Sequence, residues 1–246
     1  MQDRVKAKRR YSSPRREQQA EDTRAAILSA ARDLFSTGGW RATTIAGIAL
    51  GAGVAPETVY SRFGTKRAIL HAMVVAAMRG AAPQTPFMEQ AERQSVGSQV
   101  DPGKMIDAFA ADISTVLGRV SPVLAVVRSA AMEDADIRLL YNELHASRRS
   151  NLRQFVEGLQ RIGGLRSGIS LDLATAHVWS LGSPELFLLW SGTGDDGAAG
   201  YEGWLAGALK LLLLPEATIE TEPRSKQASH ANRPLRKPPK SALKSG

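Results

Sequence analysis

In residues 21–80 and again in 101–214 apolar side chains recur every three or four positions, the period of helices with one buried face. Ala26, Ile27, Ala30, Ala31, Leu34 and Phe35 form the first stripe. Asp22 or Thr23 is placed to cap its start, and Gly38-Gly39 to end it. Thr44 then precedes Ile45, Ile48 and Ala49, which predicts a short capped helix broken by Gly51-Ala52-Gly53-Val54. Pro56 restarts the chain at its favoured first helical position, and Phe63-Gly64 closes that third helix. A fourth runs from Lys66 to Arg79 with Ile69, Leu70, Met73, Val74 and Ala77 inward. Further helices are expected at 103–119, 122–132, 136–163, 171–190 and 199–214. Gly163, Gly164 and Gly168 punctuate the run, Pro184 should kink its helix, and Asp195 to Gly197 read as a loop.

The flanks lack this period. Residues 1–20 are basic and predict a disordered arm; 215–246, with five prolines among Lys, Arg and Ser, predict a disordered basic tail. Residues 81–100 read as a loose joint with at most a short helix. The folded part divides at 79/80 into segments 21–79 and 80–214. Of the net charge of +8, the arm carries +5, 21–79 carries +3, 80–214 carries −4 and the tail +4. Basic ends and a basic first segment beside an acidic body point to a polyanion partner on one face. Cysteine is absent, which excludes disulfides and thiolate chemistry. No apolar stretch has the length of a bilayer span, so no membrane association is expected and a cytoplasmic location is. His71, His145, His177 and His230 have no metal-ligand spacing, and there is no phosphate loop or nucleophile elbow. The expectation is a protein that is not an enzyme and takes no metal or cofactor; Glu133, Asp134 and Asp136 read as a solvated helix start.

Residues 40–66, WRATTIAGIALGAGVAPETVYSRFGTK, predict two short helices joined by a glycine turn, a helix-turn-helix whose second member enters the major groove of double-stranded DNA. That helix starts at Pro56, so Glu57, Thr58 and Ser61 are placed towards base edges. Glu57 either accepts from a cytosine amino group or only complements the helix dipole. Arg41 and Arg62 can add charge. With Phe35 and Gly39, Thr43-Thr44, Ile48-Ala49, Ala52-Gly53-Val54, Thr58-Val59-Tyr60, Phe63 and Lys66, the segment 23–70 closely resembles the TetR family of helix-turn-helix regulators. It departs at Ala55, where the family has a capping Ser or Thr, and at Leu50 and Gly51, which replace residues that are commonly polar. The resemblance implies an all-α fold: a three-helix DNA-binding domain joined by a fourth helix to a helical ligand-binding and dimerisation domain. It implies that Tyr60, Lys66 and either Thr43 or Thr44 hold phosphates, and that the protein is a repressor released from a near-palindromic operator.

In the second half, Arg148-Arg149 to Arg166 and Trp179 through Ser183-Pro184-Glu185 to Leu209 resemble one branch of that family. This implies a homodimer through the last two helices, with Leu186, Trp190, Tyr201, Trp204, Leu205 and Leu209 at the interface. A pocket for an unknown small-molecule effector is expected between helices 103–145 and 171–190, lined by Phe109, Ile113, Val116, Leu117 and Met132 with Tyr141, His145 and Trp179. Its apolar majority points to a lipophilic or aromatic ligand, and Arg128 is placed to meet an anionic one. A non-sensing architectural DNA-binding protein is the alternative, which the large acidic, apolar second half disfavours.

Overall fold

A computed structural model describes residues 14–192 and 197–216. Residues up to Pro215 form one compact unit; of the second, Glu216–Gly246, only Glu216 is described. The expectations for residues 1–13, for 195–196 and for the tail beyond 216 lie outside the described residues. The described residues form ten α-helices and no strand.

Helix α1 (Pro14–Ala42) is longer than its apolar stripe. Residues 14–20 open it instead of belonging to a loose arm. Proline is tolerated at a helix start, and the Arg, Glu, Gln and Ala that follow are good helix formers with Glu17 in the first turn. Asp22 and Thr23 therefore lie inside the helix and cap nothing. Asp22 accepts from Gln18 Nε2 at 2.9 Å, and the Thr23 hydroxyl donates to the Gln19 carbonyl. The regular helix breaks where expected, at Gly39 with φ 70°.

Helices α2 (Ile45–Gly51), α3 (Pro56–Phe63) and α4 (Lys66–Arg79) follow the sequence pattern. The α4 residues predicted to face inward are all buried. The segment 81–100 is more ordered than a loose joint: a 3-10 turn, Phe87–Glu89, leads into α5 (Ala91–Gly97). The Gln90 amide holds it by donating to the carbonyls of Arg79 and Ala82.

The two helices expected at 103–119 and 122–132 are one, α6 (Pro102–Glu133). Pro122 has no N–H for the helix ladder, but Val120, Ser121, Val123 and Leu124 around it are buried, and packing carries the helix through. Among the described residues α6 alone has the length and apolarity to cross a membrane. It is the core helix here: α1, α4, α5, α7 (Ala135–Arg161), α9 (Pro184–Ser191) and α10 (Gly197–Leu213) all pack on it. Arg119 on α6 ties it to α4, donating to the Ala77 carbonyl at 3.1 Å with its guanidinium against Gly80.

Pro184 does not kink a helix; it starts one. Gly182 ends α8 (Leu171–Leu181), the Ser183 hydroxyl accepts from Leu186 N at 3.2 Å, and Pro184 takes the first position of α9. The break turns the chain so that Phe187 and Trp190 of α9 meet Tyr201 and Trp204 of α10, the two indoles stacked at 4.9 Å. Gly197, expected in a loop, begins α10.

Candidate DNA-binding surface and effector cavity

The turn between α2 and α3 is a Schellman closure. Gly53, at φ 65°, donates to the Leu50 carbonyl and Val54 to that of Ala49. Thr44 caps α2, accepting from Gly47 N at 3.0 Å. Gly51 lets α2 lie against α1, since a Cβ there would stand 3.2 Å from that of Ala30. Ala55 offers α3 no side-chain cap; its backbone carbonyl accepts from Thr58 N. Val59 anchors α3 in the core. Pro56, Glu57, Tyr60, Ser61 and Arg62 are exposed, and Thr58 is half-buried. Ser61 donates to the Thr58 carbonyl, and Arg62 to that of Ala20 on α1. Thr44 and Arg41 are exposed as well, Arg41 paired with Glu133 at 3.1 Å.

Two residues expected on phosphates point elsewhere. Thr43 is buried and its hydroxyl donates to the Gly39 carbonyl, which closes the bend after α1. Lys66 Nζ donates to the carbonyls of Trp40 at 2.6 Å and Thr43 at 2.9 Å, and lies 4.0 Å from the Trp40 ring centroid. Partial burial lowers its pKa. Both side chains satisfy carbonyls left over where α1 ends, a need set by the bend.

The same bend is fixed to the second half of the chain. Trp40 stacks on Phe35 and donates from Nε1 to Asp134 Oδ2 at 2.9 Å. Asp134 Oδ1 meanwhile caps α7, accepting from Asp136 N and Ile137 N. The Trp40 hydrogen bond, more than any other cause, holds the Asp134 carboxyl below its ordinary pKa. Arg67 at the start of α4 adds a bond to Glu143 of α7 at 3.0 Å. The acid cluster 133–136 is thus a helix start, as its sequence implies, and also the seat of the DNA-binding segment. The signal available beforehand was the tryptophan after Gly39.

A cavity of about 510 Å³ opens between the 3-10 turn, α5, α6 and α7. This is inside the ~300–1,000 Å³ range of small-molecule sites. Phe109 and Phe155 stack at 4.0 Å on its wall, and Arg93 spans Phe87 and Asp112, whose carboxyl burial raises in pKa. Of the nine residues expected to line a pocket, only Phe109 and Ile113 do so. Val116 and Leu117 are ordinary core. Arg128 is exposed and Met132 is 85% exposed, because α6 turns that face to solvent near its end. Helix periodicity located the stripe on α6, but the opposing wall came from the segment read as a joint.

Tyr141, His145 and Trp179 gather in a second cluster, with Tyr141 and His145 4.2 Å apart and His145 and Trp179 5.9 Å apart. Arg148 of α7 completes it, donating to the carbonyls of Trp179 at 2.9 Å and Gly182 at 2.6 Å. Burial draws the Arg148 pKa down to about 10, which leaves it protonated at neutral pH. Sequence reading named Arg148 only within the Arg148-Arg149 to Arg166 resemblance and gave it no site role, though it stands in register with Tyr141, Leu144, Leu152 and Phe155, a lone cation in an apolar stripe. Burial also lowers His145, against the attraction of Glu185 and with the repulsion of Arg148. A depressed histidine favours the folded state only while neutral. Its contribution is full above the unfolded value of 6.5 and is lost as pH falls from there towards the folded value. Replacement His145→Phe should therefore flatten the fall in melting temperature between pH 7.5 and 5.5. Parallel melting curves for the two proteins over that range would refute this titration as a source of acid sensitivity.

Three expected interface residues, Tyr201, Leu205 and Leu209, are fully buried within one chain. Tyr201 donates to the Leu181 carbonyl at 2.6 Å, and its burial raises its pKa. Leu186, Trp190 and Trp204 are half-buried. On α8 to α10 the exposed large apolar side chains are Leu173, Leu188, Leu189 and Leu211, at 49%, 38%, 65% and 79% exposure.

Residues 27–73 match the family model of bacterial regulatory proteins, tetR family. No curated protein matches the chain. Among solved structures, NalD of Pseudomonas aeruginosa, the secondary repressor of the MexAB-OprM multidrug efflux pump, is 21% identical, with 79% of this chain and 98% of that one covered at a TM-score of 0.61. FadR of Bacillus subtilis, solved with stearoyl-CoA, is 17% identical, covering 75% and 96% at 0.59. A transcriptional regulator of Saccharomonospora viridis, solved with choline, is 17% identical, covering 79% and 98% at 0.58. Residues 27–73 thus match the regulatory-protein segment of the tetR family, and the all-helical fold is that of the solved TetR-family regulators.

Proposed function

We propose that this protein is a cytoplasmic, homodimeric transcriptional repressor that leaves a near-palindromic operator when a lipophilic or aromatic small molecule binds. The observation that carries the reading is the α3 surface. Val59 faces the core, while Glu57, Tyr60 and Ser61 face out from a helix whose turn and neighbours are fixed by backbone bonds and buried apolar residues. Such a helix presents its first turns to the major groove. Tyr60, Thr44 and the two arginines, Arg41 and Arg62, serve the phosphates, and Glu57, Thr58 and Ser61 serve the bases. The effector's place is the cavity against α6, which is tied through Arg119 to α4 and through Asp134 to Trp40. In domain terms, residues 21–79 bind DNA and residues 80–214 sense and dimerise. Similar solved structures include proteins solved with stearoyl-CoA and with choline, which supports a sensing role without naming this ligand.

Binding of the purified protein to genomic fragments, then to a randomised operator library at two salt concentrations, tests the reading. Thr58→Ala or Glu57→Gln should change preference at particular bases by roughly 1–3 kcal/mol. Tyr60→Phe should weaken binding to all sequences alike. Equal affinity for operator and random DNA would overturn it. Titration of operator complexes with compounds that raise the melting temperature tests release, for which coupling of about 1–3 kcal/mol, or roughly 5- to 150-fold, is expected.

A further inference from the structure

Arg148 is a half-buried cation whose guanidinium has unused hydrogen-bonding capacity. Its Nη2 serves the carbonyls at the end of α8, but Nε and Nη1 are buried without an acceptor. No carboxylate among the described residues forms an ion pair with it. Glu185 is the acid whose field it feels, and that carboxylate accepts from the Tyr141 hydroxyl at 3.2 Å. Beside the guanidinium, Trp179 Nε1 is likewise buried and unpartnered, as are both ring nitrogens of His145. The Arg148 guanidinium carbon lies 5.6 Å from the Trp179 ring centroid, and Tyr141 packs on the far side of His145. Buried donors are almost always met in folded proteins. A trapped water can accept from an indole N–H, but it brings no charge to a buried guanidinium.

We propose that Arg148, Trp179 and His145 form the acid-binding end of the effector site and take the carboxylate of an otherwise apolar molecule. The inference rests on the sensing role proposed above and gives its ligand a chemical class. Guanidinium suits this task, being always charged, more weakly hydrated than ammonium and matched to carboxylate oxygens. The apolar remainder has a place. Asn151, Leu152 and Phe155, one and two turns beyond Arg148 on the same α7 face, line the 510 Å³ cavity. Ile113 lines it too, and stands 4.0 Å from the point above Gly182 that is 3.6 Å from Arg148 Nη2. Arg148, His145 and Trp179 do not themselves line the cavity; Ile113 stands between it and the cation, so the acid end lies one side chain beyond the cavity wall.

The test uses the full chain with two acids, naphthalene-2-carboxylate and dodecanoate, and their neutral primary amides, measured by calorimetry at pH 7.5. Either acid should bind the wild type about 10- to 100-fold more tightly than its amide, the range of a hydrogen bond to a charged group. Arg148→Met should abolish that preference and Arg148→Lys restore part of it. Trp179→Phe, which leaves the Arg148 ties in place, should weaken acids several-fold and amides not at all; it decides the matter if Arg148→Met does not fold. Equal binding of acid and amide, an unchanged preference in both Arg148→Met and Trp179→Phe, or no acid binding up to millimolar concentration overturns the proposal. Operator titration separates the two ideas. Release by amides but not acids leaves the sensing role intact and removes the acid site. Acids that need Arg148 to bind yet never change operator affinity keep the site and remove the sensing role.

Discussion

Glutamates at Leu189 and Leu211 together should leave the chain folded, turn a dimer into a monomer and cut operator affinity by about 100-fold or more. Leu189 on α9 and Leu211 on α10 are 65% and 79% exposed, so charge there costs the single chain little. Gly203 and Gly207, with open space where a Cβ would stand, leave the α10 backbone bare for a neighbouring helix. A two-fold dimer uses the same patch on both copies, so each substitution strikes twice. In the proposed dimer, operator affinity would depend on the pairing because the second half-site would be bound at high effective concentration, a gain of roughly 10²–10⁴. Sedimentation with circular dichroism and operator titration makes the measurement. Leu205→Glu is the contrast: that side chain is fully buried in one chain, and its charge should unfold the protein before it reports on association. A double variant that stays dimeric at micromolar concentration places the interface elsewhere.

Trp40→Ala should lower stability by about 3 kcal/mol, the low end for a buried-ring deletion because this indole is half-buried. For a unit of this size that is roughly 6–12 °C in melting temperature. It removes the stack on Phe35, the ring under Lys66 and the bond to Asp134 in one step. Trp40→Phe separates these roles. It keeps a ring and deletes the N–H, so it should cost nearer 1 kcal/mol. Because the lost bond joins the DNA-binding bend to the α7 cap, Trp40→Phe should also shrink the effector's influence on operator affinity while leaving effector affinity in place. Asp134→Asn, which retains an acceptor, should do less of both. If Trp40→Phe melts like the wild type and responds like it, the bond carries no coupling.

Most of the DNA-binding segment was legible in the chain itself. Its helices are short, their caps and breaks are local, and Thr44, Gly53, Pro56 and Gly64 act within a few residues of where they stand. The 3.6-residue stripe of α4 likewise needs no partner to be recognised. Local rules failed wherever packing outweighed them. Pro122 marks a break in sequence, yet α6 runs through it between buried neighbours; Pro184 marks a kink, yet Gly182 and Ser183 make it a start. An apolar residue late in the chain reads the same whether it fills one core or joins two subunits, and only the tertiary structure put Tyr201, Leu205 and Leu209 inside and left Leu189 and Leu211 out. The inward turn of Thr43 and Lys66, the Trp40–Asp134 tie across 94 residues and the unpaired donors at Arg148 belong to the same class. Spacing along a helix says which side chains share a face; it does not say what that face meets, because the meeting element lies far away in sequence and is chosen by the whole packing.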